Sequence, residues 1–342
     1  TVHKALNLYA SEDGTYGSAG KLEADLILVD EVSMLDVYLA LHLFQAIQDG
    51  AQLILIGDAD QLPSVGAGNV LRDIISSERF ATVCLTEIFR QAESSLIVRN
   101  AHAINRGEMP NLAVKDNDFF FLPRRTDREI ADTVVELCHT RLPRTYGKET
   151  EGGIQIITPS RKGEAGTENL NRRLQAALNP PAKGKRELKY RETVFRVGDR
   201  VMQTKNNYDI EWESGDGYDH RAGNGVFNGD IGTVTFIDAA DGEMTVCFDD
   251  KEATYTGEML DELEHAWAVT VHKSQGSEYP FVIIPMYGAP PPLLTRNLLY
   301  TAVTRAQRMV ILVGREDVIR TMVDNNRQTL RYTGLPMRLK RS

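Results

Sequence analysis

Two short, wholly apolar runs, Leu26-Ile27-Leu28-Val29 and Leu53-Ile54-Leu55-Ile56, each stop abruptly at acidic residues. The first ends in Asp30-Glu31, the second in Gly57-Asp58 followed by Gln61-Leu62-Pro63. Runs this short, without alternation and bounded by turn residues, predict buried strands of a parallel sheet. In open parallel sheets ligands lie beyond the carboxyl ends of the strands, so both polar clusters are expected on one rim. There a carboxylate can hold Mg²⁺, a second can polarise a water, and an amide can sense a phosphate. This is the equipment of a nucleotide hydrolase.

Such a site also needs a phosphate cradle, G-x-x-x-x-G-K-[ST] between a strand and a helix. No segment of the 342 residues matches it, and Lys162-Gly163 and Lys183-Gly184-Lys185 lack both the first glycine and the following hydroxyl residue. The opening Thr1-Val2-His3-Lys4-Ala5-Leu6 reads as a helix already inside a domain. The expectation is a fragment of a longer protein, cut downstream of its phosphate loop; the alternative is a complete protein with a different site.

A length of 342 residues suggests roughly two to three domains. No apolar stretch approaches the roughly 18 residues of a membrane span, nothing resembles a signal peptide, and no membrane partner is expected. Cys84, Cys138 and Cys247 are far apart and without metal spacing, which predicts buried, reduced, structural thiols and a cytoplasmic location. The net charge of −9 conceals blocks. Residues 155–205 carry 12 Lys and Arg against 5 Asp and Glu, residues 266–342 carry 11 against 4, and residues 206–265 carry 2 against 16. Basic surfaces separated by an acidic module are compatible with a nucleic-acid partner.

Along the chain, helices are predicted near residues 35–48, 69–77, 96–105, 127–141, 167–178 and 294–305. Strands are predicted at 26–29, 53–56, 83–85, 154–157, 281–285 and 309–313, the β-α repetition of parallel sheets. From residue 195 the pattern changes to short strands and turns, the signature of a small β-barrel. Residues 211–225, acidic and Gly-rich, read as an exposed loop within it. The expected organisation is α/β: a first unit at 1–90, a second at 91–195 and 258–342, and the barrel inserted at 196–257.

Two further segments complete the set, Thr270-Val271-His272-Lys273-Ser274-Gln275-Gly276-Ser277-Glu278 and Leu299-Tyr300-Thr301-Ala302-Val303-Thr304-Arg305-Ala306. With D-E-V-S-M at 30–34, G-D-A-D-Q-L-P at 57–63 and I-F-R-Q at 88–91, they resemble, in order, motifs II to VI of superfamily 1B helicases. The nearest likeness is to the RecD-like DNA helicases, both the exonuclease V alpha-type and the stand-alone proteins. The resemblance implies two RecA-like domains, the first truncated at its N-terminus, and an SH3-like barrel in the second. It implies ATP and Mg²⁺ as cofactors and 5′-to-3′ movement on single-stranded DNA in repair or recombination.

By the same resemblance Asp30 holds Mg²⁺, Glu31 is the general base, Gln61 senses the γ-phosphate, and Arg90 and Arg305 are arginine fingers. Asp58, Gly276 and Glu278 lie near the nucleotide. A DNA strand is expected to cross Thr1, His3, Pro63, Val65, Thr158, Arg161, Thr270, His272 and Ser274, with Asn206 and Tyr208 of the barrel adding a stacking ring. Residues 9–22 occupy the place of a strand-separating pin, or of an ordinary connector. The implied partners are single-stranded DNA, duplex junctions, and nuclease or helicase subunits. Without its phosphate loop this chain alone is expected to bind ATP poorly and hydrolyse none. The rival readings are a non-motor DNA-binding or regulatory subunit, and the helicase module of a conjugative relaxase.

Overall fold

A computed structural model describes residues 1–6, 8, 20–85, 94–215, 220–327, 331 and 333–341. In the first unit, β1 (Leu26–Val29) and β2 (Gln52–Leu55) pair in parallel, Leu26 opposite Gln52 and Val29 opposite Leu55. The helix Val37–Ala46 makes the crossover, begun by the Asp36 side chain, which accepts from Leu39 N at 2.8 Å. Its Ala40, Leu43 and Ala46 pack with Val29, Val32 and Leu71 into a small core. Leu28, 60% exposed, and Ile54, 44% exposed, lie outside that core. Burial on both faces was the expectation for these strands. A parallel sheet needs a layer on each side, and the described residues supply one.

The second unit is a five-stranded parallel sheet in the order β14-β4-β15-β16-β3, made of β3 (Phe119–Pro123), β4 (Ile154–Thr158), β14 (Ala268–Thr270), β15 (Tyr279–Met286) and β16 (Ala306–Gly314). Its central strands are fully buried runs such as Val282-Ile283-Ile284, as both-sided burial demands. At the end of β16, Gly314 has φ +143, and a Cβ there would lie 2.1 Å from the carbonyl oxygen of Met286. Gly314→Ala is expected to destabilise this unit by about 2–3 kcal/mol, read as a lower melting midpoint.

Between β4 and β14 the chain inserts β5 (Glu187–Tyr190) and β6 (Thr193–Arg196), a two-stranded ribbon, and a seven-stranded antiparallel sheet. That sheet runs β13-β7-β10-β11-β12-β8-β9 and closes around Phe195, Val234, Met244, Val246 and Tyr255. Its members are β7 (Arg200–Gln203), β8 (Asn207–Ser214), β9 (Arg221–Val226), β10 (Ile231–Asp238), β11 (Glu243–Phe248), β12 (Lys251–Thr256) and β13 (Leu263–His265). The α/β architecture with an inserted barrel therefore stands.

At the seam, the buried Asp199 carboxylate accepts from Gln175 Nε2 at 2.7 Å and Asn179 Nδ2 at 2.6 Å, and meets His265 Nε2 at 3.0 Å. Both amides belong to or cap the helix Thr167–Leu178, so the insertion is fastened where it leaves the second unit.

Three local expectations are corrected, the first being burial of all three cysteines: Cys138 is buried, but Cys84 is exposed and Cys247 only half-buried. Most of 211–225 is a hairpin of β8 and β9, with Trp212 opposite Gly223. The large ring covers a strand glycine, so Gly content there marks close cross-strand packing rather than a loop. Residues 83–85 form no strand: Val83 is 87% and Leu85 94% exposed, without a pairing partner among the described residues.

Candidate active site and nucleic-acid interface

Asp30 and Glu31 leave the carboxyl end of β1 in a tight turn. Asp30 Oδ1 accepts from Glu31 N at 2.7 Å, and Glu31 is held at φ 52, ψ 40, the left-handed region. A non-glycine residue kept there is strained, and such strain concentrates at working sites. The turn is over-determined by its neighbours: Ile56 N donates to Val29 O at 2.8 Å and Val32 N to Ile56 O at 3.0 Å, carrying the β1–β2 ladder past both strand ends. Asp30 is exposed and Glu31 half-buried.

The loop after β2 lies against the second unit. Tyr300 Oη donates to Asp58 Oδ2 at 2.9 Å, and Leu62 N donates to Thr301 Oγ1 at 2.9 Å. Asn297 Nδ2 donates to the carbonyls of Asp60 at 2.8 Å and Gln61 at 3.3 Å, while Gln275 Nε2 donates to Leu62 O at 3.0 Å. The Leu62 side chain is wholly buried in the core of the second unit. Burial, and next Asp58, push the Tyr300 phenol up, so it stays protonated as a donor. Within this clamp Gln61 Oε1 is buried without a partner among the described residues. An orphaned buried acceptor is uncommon and calls for an explanation, a bound ligand or water being one.

Arg305 follows the helix Arg296–Val303 and is only 4% exposed. Its guanidinium donates to the carbonyls of Thr301 at 3.2 Å and Ser277 at 3.3 Å, neutral partners rather than the surface salt bridge a helix-borne arginine ordinarily makes. Gly276 and Glu278 lie exposed in the adjoining segment, Glu278 accepting from Gln307 Nε2 at 3.1 Å. Arg90 lies outside the described residues, as do residues 9–19 of the expected pin. No cluster of three or more His, Cys, Asp or Glu able to hold a metal occurs among the described residues. A divalent ion here could be held by Asp30 through water, with its direct ligands from phosphate and water.

Thr158 and Thr270 end the paired strands β4 and β14 on the carboxyl rim of the second sheet. The Thr158 hydroxyl is fully buried, donating to Ala165 O at 2.9 Å, and the Ser274 hydroxyl is likewise buried on Val271 O. These two side chains face inward. Both residues are wholly buried, so neither hydroxyl is presented to a strand in this structure.

His272 is half-buried, and desolvation lowers its pKa, favouring neutral imidazole. Arg161 is exposed and meets Glu264 at 2.8 Å and Glu168 at 3.6 Å. Thr1 caps the helix Val2–Ala5, accepting from Lys4 N at 3.3 Å, and burial lowers the pKa of half-buried His3. Lys4 Nζ stands 5.8 Å from the ring centre of Phe227 in the barrel, against which Tyr208 packs edge-on at 5.6 Å. Asn206 Oδ1 accepts from Asn228 N at 2.9 Å. Tyr208 is thus engaged with Phe227 instead of standing clear as a platform. Pro63 is buried, and Val65, 86% exposed, stands at the tip of its loop.

Residue by residue reading assigned no role to Asn297, Tyr300, Thr301 or Gln275. For Gln275, Tyr300 and Thr301 the available signal was their place in the two motif segments that also carry Gly276 and Arg305, whereas Asn297 lies just before the second.

Comparison with known proteins adds three family matches: an SH3 domain of ATP-dependent RecD-like DNA helicases over residues 170–248, an AAA domain over 1–120, and a UvrD-like helicase C-terminal domain over 265–313. The chain is 36% identical over 315 residues to an ATP-dependent RecD2 DNA helicase of Deinococcus radiodurans, covering 92% of the chain and 39% of the relative. It is 30% identical to the RecBCD enzyme subunit RecD of Mycolicibacterium smegmatis, covering 94% of the chain and 55% of that subunit. The chain therefore spans between about two fifths and just over half of these relatives. In fold it is similar to the crystal structure of Pif1 helicase from Bacteroides in complex with ADP-AlF3 and ssDNA, with TM-score 0.52 and 21% identity, covering 94% of this chain and 80% of that one. Among the described residues no helix is long and apolar enough to cross a membrane.

Proposed function

The chain belongs to the RecD-like DNA helicases of superfamily 1B, and from that premise we propose that it is the part of an ATP-driven 5′-to-3′ DNA translocase that senses and hydrolyses the γ-phosphate bond and grips single-stranded DNA. The observations that carry this reading are the strained Asp30-Glu31 turn on one unit and a buried, carbonyl-held Arg305 on the other, with Gln61 Oε1 orphaned in the clamp that joins the two units. The phosphate cradle is not among these residues, and the reading places it in sequence outside them.

Asp30 would hold Mg²⁺ through water. When bound, the ion neutralises charge building on the phosphate oxygens. Glu31 takes the proton of the attacking water, and Gln61 holds that water or a phosphate oxygen through its free acceptor and amide. Arg305, whose partners among the described residues are carbonyls, supplies positive charge for the transferring group. Asp58, Gly276 and Glu278 shape the edge of this cleft, and Arg90 is proposed as the second arginine. Because Tyr300, Thr301 and Asn297 bind the 58–62 loop directly, a change at the phosphate alters the fit of the two units.

The DNA path is proposed along Thr1, His3, Pro63-Val65, Arg161, Thr270 and His272, passing over the buried Thr158 and Ser274, with Asn206 and Tyr208 at its flank. Backbone and half-buried polar contacts of this kind set position without reading sequence. Duplex junctions and partner nuclease or helicase subunits, in a cytoplasmic setting of repair or recombination, complete the proposal.

The test is ATP hydrolysis by the full-length polypeptide that contains these residues, with and without single-stranded DNA, beside the 342-residue chain. Strong stimulation by DNA in the former and no turnover in the latter is the expected result. An inactive full-length protein in the presence of DNA would favour a non-motor binding subunit. Activity of the 342 residues alone would overturn this account of the site.

A further inference from the structure

The chain beyond the last helix of the second unit returns to the first unit. The helix Glu316–Asp324 ends at Asn325, which is tied to the start of the helix preceding Arg305: Arg296 N donates to Asn325 O at 2.9 Å, and Asn325 Nδ2 donates to Leu294 O at 2.7 Å. Farther on, the helix Leu335–Arg341 packs against Val70–Ser77 of the first unit, where Arg79 donates to Lys340 O at 2.8 Å. Between these anchorages Arg331 reaches the loop that follows the 57–63 segment. Its Nη1 donates to the carbonyls of Gly66 at 2.7 Å and Gly68 at 2.8 Å, and its Nη2 donates to Ser64 O at 2.8 Å. Three backbone carbonyls of one short loop thus converge on a single guanidinium.

That loop is built tightly. Ser64 Oγ donates to Gly66 O at 3.2 Å, and Ala67 O accepts from Val37 N at 3.0 Å, seating the loop on the N-terminus of the helix Val37–Ala46. Gly68 lies at φ +89, and a Cβ on it would fall 2.2 Å from Val37 Cγ2; one on Gly66 would fall 2.2 Å from Asp36 Oδ2. Only glycine fits either place. The outcome is a preset loop whose one large side chain, Val65, stands out in solvent. Aligned carbonyls repel one another, so the shape depends on a fixed cation at their focus, and arginine's planar fork can satisfy all three at once.

We propose that Arg331 is a positioning residue for single-stranded DNA binding: delivered from beyond the second unit, it holds the 64–68 loop in its gripping shape and so makes affinity for the strand depend on how the two units sit. The inference rests on the function proposed above. It goes further by assigning the loop's shape to a residue outside every helicase motif.

The experiment compares the full-length polypeptide with its Arg331→Ala and Arg331→Lys variants. It measures affinity for a fluorescent oligothymidylate without nucleotide, the DNA dependence of ATP hydrolysis, and thermal unfolding. Arg331→Ala is expected to weaken oligonucleotide binding about ten-fold, because a preorganised loop must now be ordered on binding. The DNA concentration giving half-maximal hydrolysis should rise in step, with kcat at saturating DNA nearly unchanged. Lysine, a point charge without the fork, should recover part of the affinity. Unchanged affinity in Arg331→Ala would overturn the proposal, as would a joint fall of affinity, kcat and melting midpoint that lysine does not relieve. If the unsubstituted protein neither binds the oligonucleotide nor is stimulated by it, the helicase reading itself falls and this inference with it.

Discussion

Replacing Glu31 by glutamine in the full-length polypeptide is expected to lower kcat for ATP hydrolysis by about 10²–10⁴-fold while leaving nucleotide affinity within a few-fold. Glutamine keeps the size and the backbone demands of the site. Glu31 sits at φ 52 beside Asp30, whose Oδ1 accepts from the residue-31 amide, and neither feature needs the carboxylate. What glutamine lacks is a place to put the proton of the attacking water. The loss should therefore appear in turnover and spare binding, the pattern of a group that acts only as the reaction proceeds. The check is a pair of measurements on one preparation: steady-state hydrolysis with saturating single-stranded DNA, and titration with a fluorescent ATP analogue. Turnover within ten-fold of the parent would remove Glu31 from the general-base role; lost analogue binding would show that it contributes to the pocket instead.

Much of this site could be read before any coordinates, because its parts are local. An apolar run ending in Asp30-Glu31 and another ending in Gly57-Asp58 define strand ends, and strand ends of a parallel sheet define a rim. The barrel was legible for a similar reason, as short strands and turns recur from residue 195. What could not be read is the joining of the parts. Leu62 and Thr301 are 239 positions apart, and Arg331 and Ser64 267 apart; periodicity carries no information across such separations.

Residue type also misled where burial decides the meaning. Thr158 and Ser274 have the hydroxyls that suit phosphate contacts, yet each is spent on a carbonyl within the core. Gly223 has the look of a loop residue, but it lies in a strand under Trp212. An isolated arginine at 331 offers no pattern at all. Its role becomes visible only when three carbonyls are seen around it.

Arg305→Ala in the full-length polypeptide is expected to lower kcat by ~10³–10⁵-fold, the usual worth of an arginine that neutralises a transferring phosphoryl group. The residue is nearly fully buried, yet among the described residues it donates to just the carbonyls of Thr301 and Ser277. A buried guanidinium is costly to desolvate, and neutral carbonyls offset only part of that cost. The arrangement is reasonable for a charge whose partner arrives with the substrate. Removing the side chain also frees two carbonyls, an expected loss of about 1–3 kcal/mol in stability, so a fall in activity alone would be ambiguous. Arg305→Lys separates the two effects, since lysine retains a cation and donors for these carbonyls but cannot present the planar fork. For a catalytic arginine, lysine should restore the melting midpoint and the affinity for single-stranded DNA while leaving kcat at least about a hundred-fold low. If lysine instead restores turnover together with stability, Arg305 is a structural cation of the Thr301–Ser277 junction, and the charge that completes the reaction must come from elsewhere.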